Sequence, residues 1–117
     1  MTWEVIVTDE CAEWLESLNE RTTERINAAV QMLSEVGPGL KRPLVGILSN
    51  GSNYPNMKEL RVQVGGQPIR ILFCFDPKQR AILLLGGNKK GDNDWTADAI
   101  RAADALYAAH LKTIATK

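Results

Sequence analysis

The 117-residue sequence has one histidine and only two cysteines, Cys11 and Cys74, which form no CxxC pair. Structural zinc sites draw four ligands from closely spaced Cys and His, so this composition argues against one, and no metal or small-molecule cofactor is expected. There is no excess charge of one sign, with 14 Lys+Arg against 14 Asp+Glu. Apolar runs such as Ala81 to Leu85 fall far short of the roughly 20 residues of a membrane span. Met1-Thr2-Trp3-Glu4 lacks the basic and apolar regions of a secretory signal. Walker, dinucleotide-binding and HExxH patterns are absent, and Ser49 and Ser52 lack the GxSxG setting of a serine nucleophile. A 44% apolar, 24% charged composition excludes global disorder. The expectation is one cytoplasmic domain over residues 1–117 with no membrane association.

What is present is an uneven charge distribution. Residues 1–36 carry eight acids against Arg21 and Arg25. Residues 56–90 carry Lys58, Arg61, Arg70, Lys78, Arg80, Lys89 and Lys90 against Glu59 and Asp76. Such a local cationic excess points either to an anion site or to a solvated face whose charges cancel in space.

Periodicity then supplies the elements. Trp3 to Val7 reads as a short strand. Cys11, Trp14, Leu15 and Leu18 recur at helical spacing after the capping pair Thr8-Asp9. Ile26, Ala29, Val30 and Leu33 repeat the spacing, and Gly37-Pro38-Gly39 stops it, so residues 9–36 form a helical hairpin. Residues 37–56 are loop-like, with room for a short strand near Leu44 to Leu48. Lys58 to Val64, Ile69 to Phe75 and Ala81 to Leu85 alternate as strands joined by turn chemistry, with Gly86-Gly87-Asn88 read as a turn. Ile100, Ala103, Tyr107, Leu111 and Ile114 make the stripe of a last, weakly apolar helix from about Thr96 to Thr113, expected to dock loosely. The fold class is α+β, in the order β-α-α-β-β-β-α: a small, mainly antiparallel sheet on an N-terminal helical hairpin, plus a C-terminal helix.

Side chains alternate along a strand. Leu60, Val62 and Val64 share one face of their strand, and Ile69, Ile71, Phe73 and Phe75 one face of the next. If those faces coincide, Arg61, Gln63 and Arg70 fall together on the other, with Leu72, Cys74, Leu83 and Leu85. A two-residue or a four-residue loop gives that outcome. Guanidinium groups bind phosphate bidentately and lysine acts as a point charge; aromatic rings stack bases. The cations Lys58, Arg61, Arg70, Lys89 and Lys90, with Tyr54 and Trp95 nearby, therefore suggest an RNA site. The competing reading is ordinary cross-strand ion pairing, for example of Glu59 with a neighbouring base. Cys11 and Cys74 read as core residues, and His110 as a packed or surface histidine.

The runs Asn56-Met57-Lys58-Glu59-Leu60-Arg61, Ile69-Arg70-Ile71-Leu72-Phe73-Cys74-Phe75-Asp76-Pro77 and Ala81 to Gly91 resemble the phage-derived HigB-like branch of the RelE/ParE toxin superfamily. Arg42-Pro43-Leu44 and Ala103-Asp104-Ala105-Leu106-Tyr107 are similar too. The resemblance implies the element order above and the toxin of a type II toxin–antitoxin pair. It implies ribosome-dependent mRNA cleavage, and neutralisation by a helix-turn-helix antitoxin encoded nearby. Its partners would be the ribosome and mRNA. Carried onto this sequence, the catalytic set is Lys58, Arg61, Arg70 and Lys89. Arg61 and Arg70 would hold the scissile phosphate, Lys58 would act as base, and Lys89 would protonate the leaving oxygen or bind a flanking phosphate. Lys90, Trp95, Phe75 and Tyr54 would contact RNA. Where the branch often has a tyrosine after the tryptophan, Thr96 follows Trp95 here. The alternatives are a ParE-like gyrase-poisoning toxin and a catalytically weak binding member. Partner burial is expected over the mixed face of the sheet.

Overall fold

The computed structural model describes residues 2–48, 51–91 and 94–115; Ser49 lies outside them. The first strand, β1 (Glu4–Val7), leads into α1 (Asp9–Glu16) and α2 (Glu20–Val36). Thr8 caps α1 by accepting from Cys11 N, and its hydroxyl donates to Leu84 O at 2.7 Å, pinning the helix start to the sheet. Asn19 caps α2 by accepting from Thr22 N. Gly37, at φ +68°, ends α2 where any side chain would strike the Trp3 indole.

Four strands and a helix follow: β2 (Val45–Ile47), β3 (Lys58–Val64), β4 (Gln67–Phe75), β5 (Arg80–Asn88) and α3 (Trp95–Ala115). The sheet order is β1-β5-β4-β3-β2, with β1 parallel to β5 and the other pairings antiparallel. β2 occupies the stretch flagged near Leu44 to Leu48. The β3–β4 loop is the two-residue form: Gly65 and Gly66 both have positive φ, the primed-turn geometry that glycine adopts without strain, and Val64 pairs with Gln67.

Both faces of the sheet are covered. One packs on α1 and α2 through Cys11, Ile26, Leu33, Leu60, Val62, Ile71 and Phe73. The other packs on α3 through Leu72, Cys74, Ile82, Leu84, Ala99, Ile100, Ala103 and Tyr107. α3 is thus firmly docked rather than loose, because its alanines allow close approach and Tyr107 donates to Phe75 O. It also occupies much of the mixed face expected for a partner.

Two further expectations change. Leu72 pairs with Leu85 but Phe73 pairs with Leu83, leaving Leu84 as an extra residue in a β-bulge. A bulge resets the alternation, so Leu83 joins the α1/α2 face while Leu85 stays against α3. Gly86, Gly87 and Asn88 are strand, not turn. Gly86 lies under the Trp14 ring and Gly87 under the Trp95 indole; the missing side chains make room for one indole on each face. Among the described residues no helix is long and apolar enough to cross a membrane.

Candidate nucleic-acid interface

Arg61 and Arg70 stand directly opposite each other in the β3–β4 ladder. They share the face that also carries Glu59, since Glu59 pairs with Leu72. Like charges directly opposite one another destabilise a sheet, so an arginine pair needs an anion. Glu59 supplies it: its Oε1 accepts from Arg61 Nε at 2.9 Å and lies 3.8 Å from Arg70 Nε. The carboxylate is buried, its side chain 3% exposed, against 37% for Arg61 and 14% for Arg70. Burial pulls the Arg70 guanidinium below its usual value; Glu59 opposes that shift and Arg61 adds to it. The pairing is incomplete. Glu59 Oε2 and Arg70 Nε are buried and make no hydrogen bond among the described residues. Arg70 uses Nη1 on Ile69 O.

This triad borders open space. A cleft of about 560 Å³ is lined by Arg25, Ala29 and Met32 of α2, by Leu44, and by Arg61 and Arg70. A second, of about 420 Å³, lies along β2 and is lined by Leu40, Lys41, Arg42, Ile47, Lys58 and Arg61. Arg61 belongs to both. It passes over Gly46, where a side chain would collide with the guanidinium. Every charged residue lining the two clefts is cationic among the described residues.

The other expected site residues divide. Lys89 and Lys90 sit at the Arg70 end of the sheet: Lys89 N donates to Pro68 O and Lys90 N to Asn88 Oδ1. Trp95 begins α3 with its indole against Gly87, the residue paired with Arg70. Lys58 is on the opposite face. It shares parity with Leu60, and its Nζ lies 5.4 Å from the centroid of the Phe75 ring. Lys58 therefore shares with Arg61 the second cleft, at the β2 edge, and Arg70 does not line it. Phe75 packs edge-on against Trp3 and Phe73, within the α1/α2 core. Tyr54 packs edge-on against Tyr107 at 4.8 Å, in a loop that Asp104 holds by accepting from Ser52 Oγ and Asn53 N. Phe75 lies on the face away from the arginine pair, and both rings are half-buried against the cores.

His110 has a partner that the sequence did not disclose. Its Nε2 is 2.9 Å from Asp76 Oδ2, which also accepts from Arg80 Nε and Nη2. Burial pushes both thiols up, Cys11 to about 12 and Cys74 to about 11, so neither is a nucleophile at neutral pH. Arg25, Lys41 and Arg42 were missed because they reach the clefts from distant segments. The signal for the Glu59 clamp was present: Glu59 and Arg61 are two apart on one strand, hence on one face.

Residues 13–108 match the phage-derived Gp49-like protein family (DUF891). Two Mycobacterium tuberculosis proteins named as HigB-type toxins are similar. HigB2 is 46% identical over 84% of this chain and HigB3 is 43% identical over 86%. The chain spans about half the length of HigB2 (49%) and 86% of HigB3. The free-state structure of a mutant of the E. coli toxin RelE shares the fold, with a TM-score of 0.57 over 86% of this chain and 98% of that one, at 9% sequence identity. A family match across most of the chain, relatives above two-fifths identity and this shared architecture agree, and the chain belongs to the phage-derived Gp49-like family, as a homologue of the HigB toxins on the RelE fold.

Proposed function

We propose that residues 1–117 act as one toxin domain of a type II toxin–antitoxin pair, cutting mRNA on the ribosome. The observation that carries this reading is the register pairing of Arg61 with Arg70 beside a cleft whose charged lining is wholly cationic. The relatives' names as toxins support the biological role.

The chemistry needs little from the protein beyond placement and charge. RNA carries its own nucleophile: the 2′-oxygen forms a bond to phosphorus as the bond from phosphorus to the 5′-oxygen breaks, leaving a 2′,3′-cyclic phosphate and a 5′-hydroxyl. Arg61 and Arg70 hold the phosphate and stabilise the charge that builds on its oxygens. Lys58, reached across Arg61 through the second cleft, takes the 2′-hydroxyl proton. Lys89, near the Arg70 end, returns a proton to the leaving oxygen or binds a flanking phosphate. Trp95 stacks a base beside Arg70, and Lys90, Arg25, Lys41 and Arg42 attract the backbone. Ribosomal ordering of the message supplies much of the positioning. An antitoxin encoded alongside neutralises the toxin. A helix-turn-helix protein in the neighbouring reading frame would support that partner, and its absence would count against it.

The test is to express the chain without its partner and map mRNA ends on arrested ribosomes. Cleavage should appear within messages, and Arg61→Ala and Arg70→Ala should each relieve growth inhibition. Full toxicity in both variants would sink the site. Inhibited supercoiling with intact mRNA would move the protein to the gyrase-poisoning reading.

A further inference from the structure

Two guanidinium groups side by side would form a strong seat for any phosphate. The buried carboxylate beneath them changes that seat. Glu59 offsets one of the two positive charges, through a 2.9 Å contact to Arg61 and a 3.8 Å approach to Arg70. It does so incompletely, leaving its own Oε2 and Arg70 Nε without hydrogen bonds among the described residues. The triad thus keeps one positive charge in excess, carried by two arginines that line the cleft. Arg25, on the exposed far wall, is screened by water and salt.

We propose that Glu59 is a positioning residue that sets the charge of this seat, so that it takes a singly charged internal phosphodiester in preference to a doubly charged terminal phosphate. The inference rests on the reading of the cleft as an RNA-phosphate site. Attraction to the seat rises in proportion to the anion's charge, whereas the cost of stripping its water rises with the square of that charge. Lowering the charge of the seat by one therefore shifts its preference toward the monoanion, whatever the neighbouring cations add. An RNA chain carries one charge at each internal linkage and about two at a terminal phosphate, so the buried glutamate steers binding away from chain ends.

The experiment compares dimethyl phosphate, a monoanion, with methyl phosphate at pH 8, a dianion, at constant ionic strength. Binding is read from the carbon-13 signals of the Arg61 and Arg70 guanidinium carbons in the full chain. The wild type should bind dimethyl phosphate at least as tightly as methyl phosphate. Glu59→Gln should shift the preference toward methyl phosphate by about tenfold. Glu59→Asp, which keeps the charge, should retain the wild-type preference, and Glu59→Ala, which removes it, gives the same test if the glutamine variant does not fold. A merely structural glutamate would not move this ratio. Intact binding with an unchanged ratio in Glu59→Gln, or a wild type that prefers the dianion tenfold, overturns the selectivity and leaves the cleft reading standing. Silence of both arginine signals toward both anions in the wild type overturns both.

Discussion

The molecule carries two buried carboxylates that each gather cations, and they are built differently. Asp76, whose side chain is fully buried, sits in the β4–β5 turn and accepts from Lys78 N, Arg80 N, Arg80 Nε, Arg80 Nη2 and His110 Nε2, all between 2.8 and 3.0 Å. Its bonds tie the turn to itself and to α3. Glu59 is as deeply buried, yet one oxygen does the pairing for two arginines and the other has no donor among the described residues. A saturated carboxylate is a fastening. An unsaturated one next to a cleft leaves its arginines with capacity to spare. A polar group buried without a partner costs stability, so the Glu59 cluster is the less firmly fastened of the two.

The comparison can be tested from its strongest consequence downward. Asp76→Ala should cost about 3 kcal/mol of stability, because it leaves charged partners around an empty place; urea denaturation reads this, and a loss under 1 kcal/mol would break the contrast. Arg70→Ala should behave oppositely. Glu59 remains paired with Arg61, so the midpoint should hold while the proposed RNA cleavage falls ~100-fold, the usual effect of removing one charge-stabilising donor.

Two glycines sharpen the same division. Gly86→Ala drives a methyl into the Trp14 ring and should lower stability by about 2 kcal/mol through overpacking. Gly46→Ala meets the Arg61 guanidinium, the end of a flexible side chain, so the proposed RNA cleavage should drop about tenfold with stability nearly unchanged. Equal unfolding midpoints for the two variants would contradict this separation.

Acid titration probes the fastening. Burial pushes the Asp76 carboxyl up, but the hydrogen bonds from His110 and Arg80 outweigh it and hold it below its ordinary range. A depressed folded value contributes stability above the unfolded value of about 3.9, and that contribution is lost as pH falls through the folded value. Denaturation midpoints should therefore decline below about pH 4 in the wild type, and less so in Asp76→Asn. The smallest effect is on the thiols: with Cys74 pushed up to about 11 and Cys11 to about 12, neither should react with iodoacetamide at pH 8 until the chain unfolds.

Much of this was legible in the chain because it depends on local periods. Leu60, Val62 and Val64 against Ile69, Ile71 and Phe73 placed Arg61 and Arg70 on one face before any coordinates. The same alternation, applied to Lys58, puts it with Leu60 on the other side, away from Arg70. Parity failed at Leu83, because a bulge at Leu84 cannot be seen in an unbroken apolar run. Gly86-Gly87 resembled a turn because its reason for lacking side chains is an indole on each face, from Trp14 far away in sequence and from Trp95 across a loop. Arg25 and Arg42 escaped notice on the same ground.

By itself the sequence determined which residues alternate, where helices start and stop, and that two arginines face the same way, since these follow from backbone geometry over a few neighbours. Only the tertiary structure decided what the arginines face. The cleft beside α2, the Asp76–His110 bond and the packing of Tyr54 and Phe75 join segments tens of residues apart; the shared oxygen of Glu59 joins neighbouring strands; and the strength of each depends on burial, which no local pattern encodes.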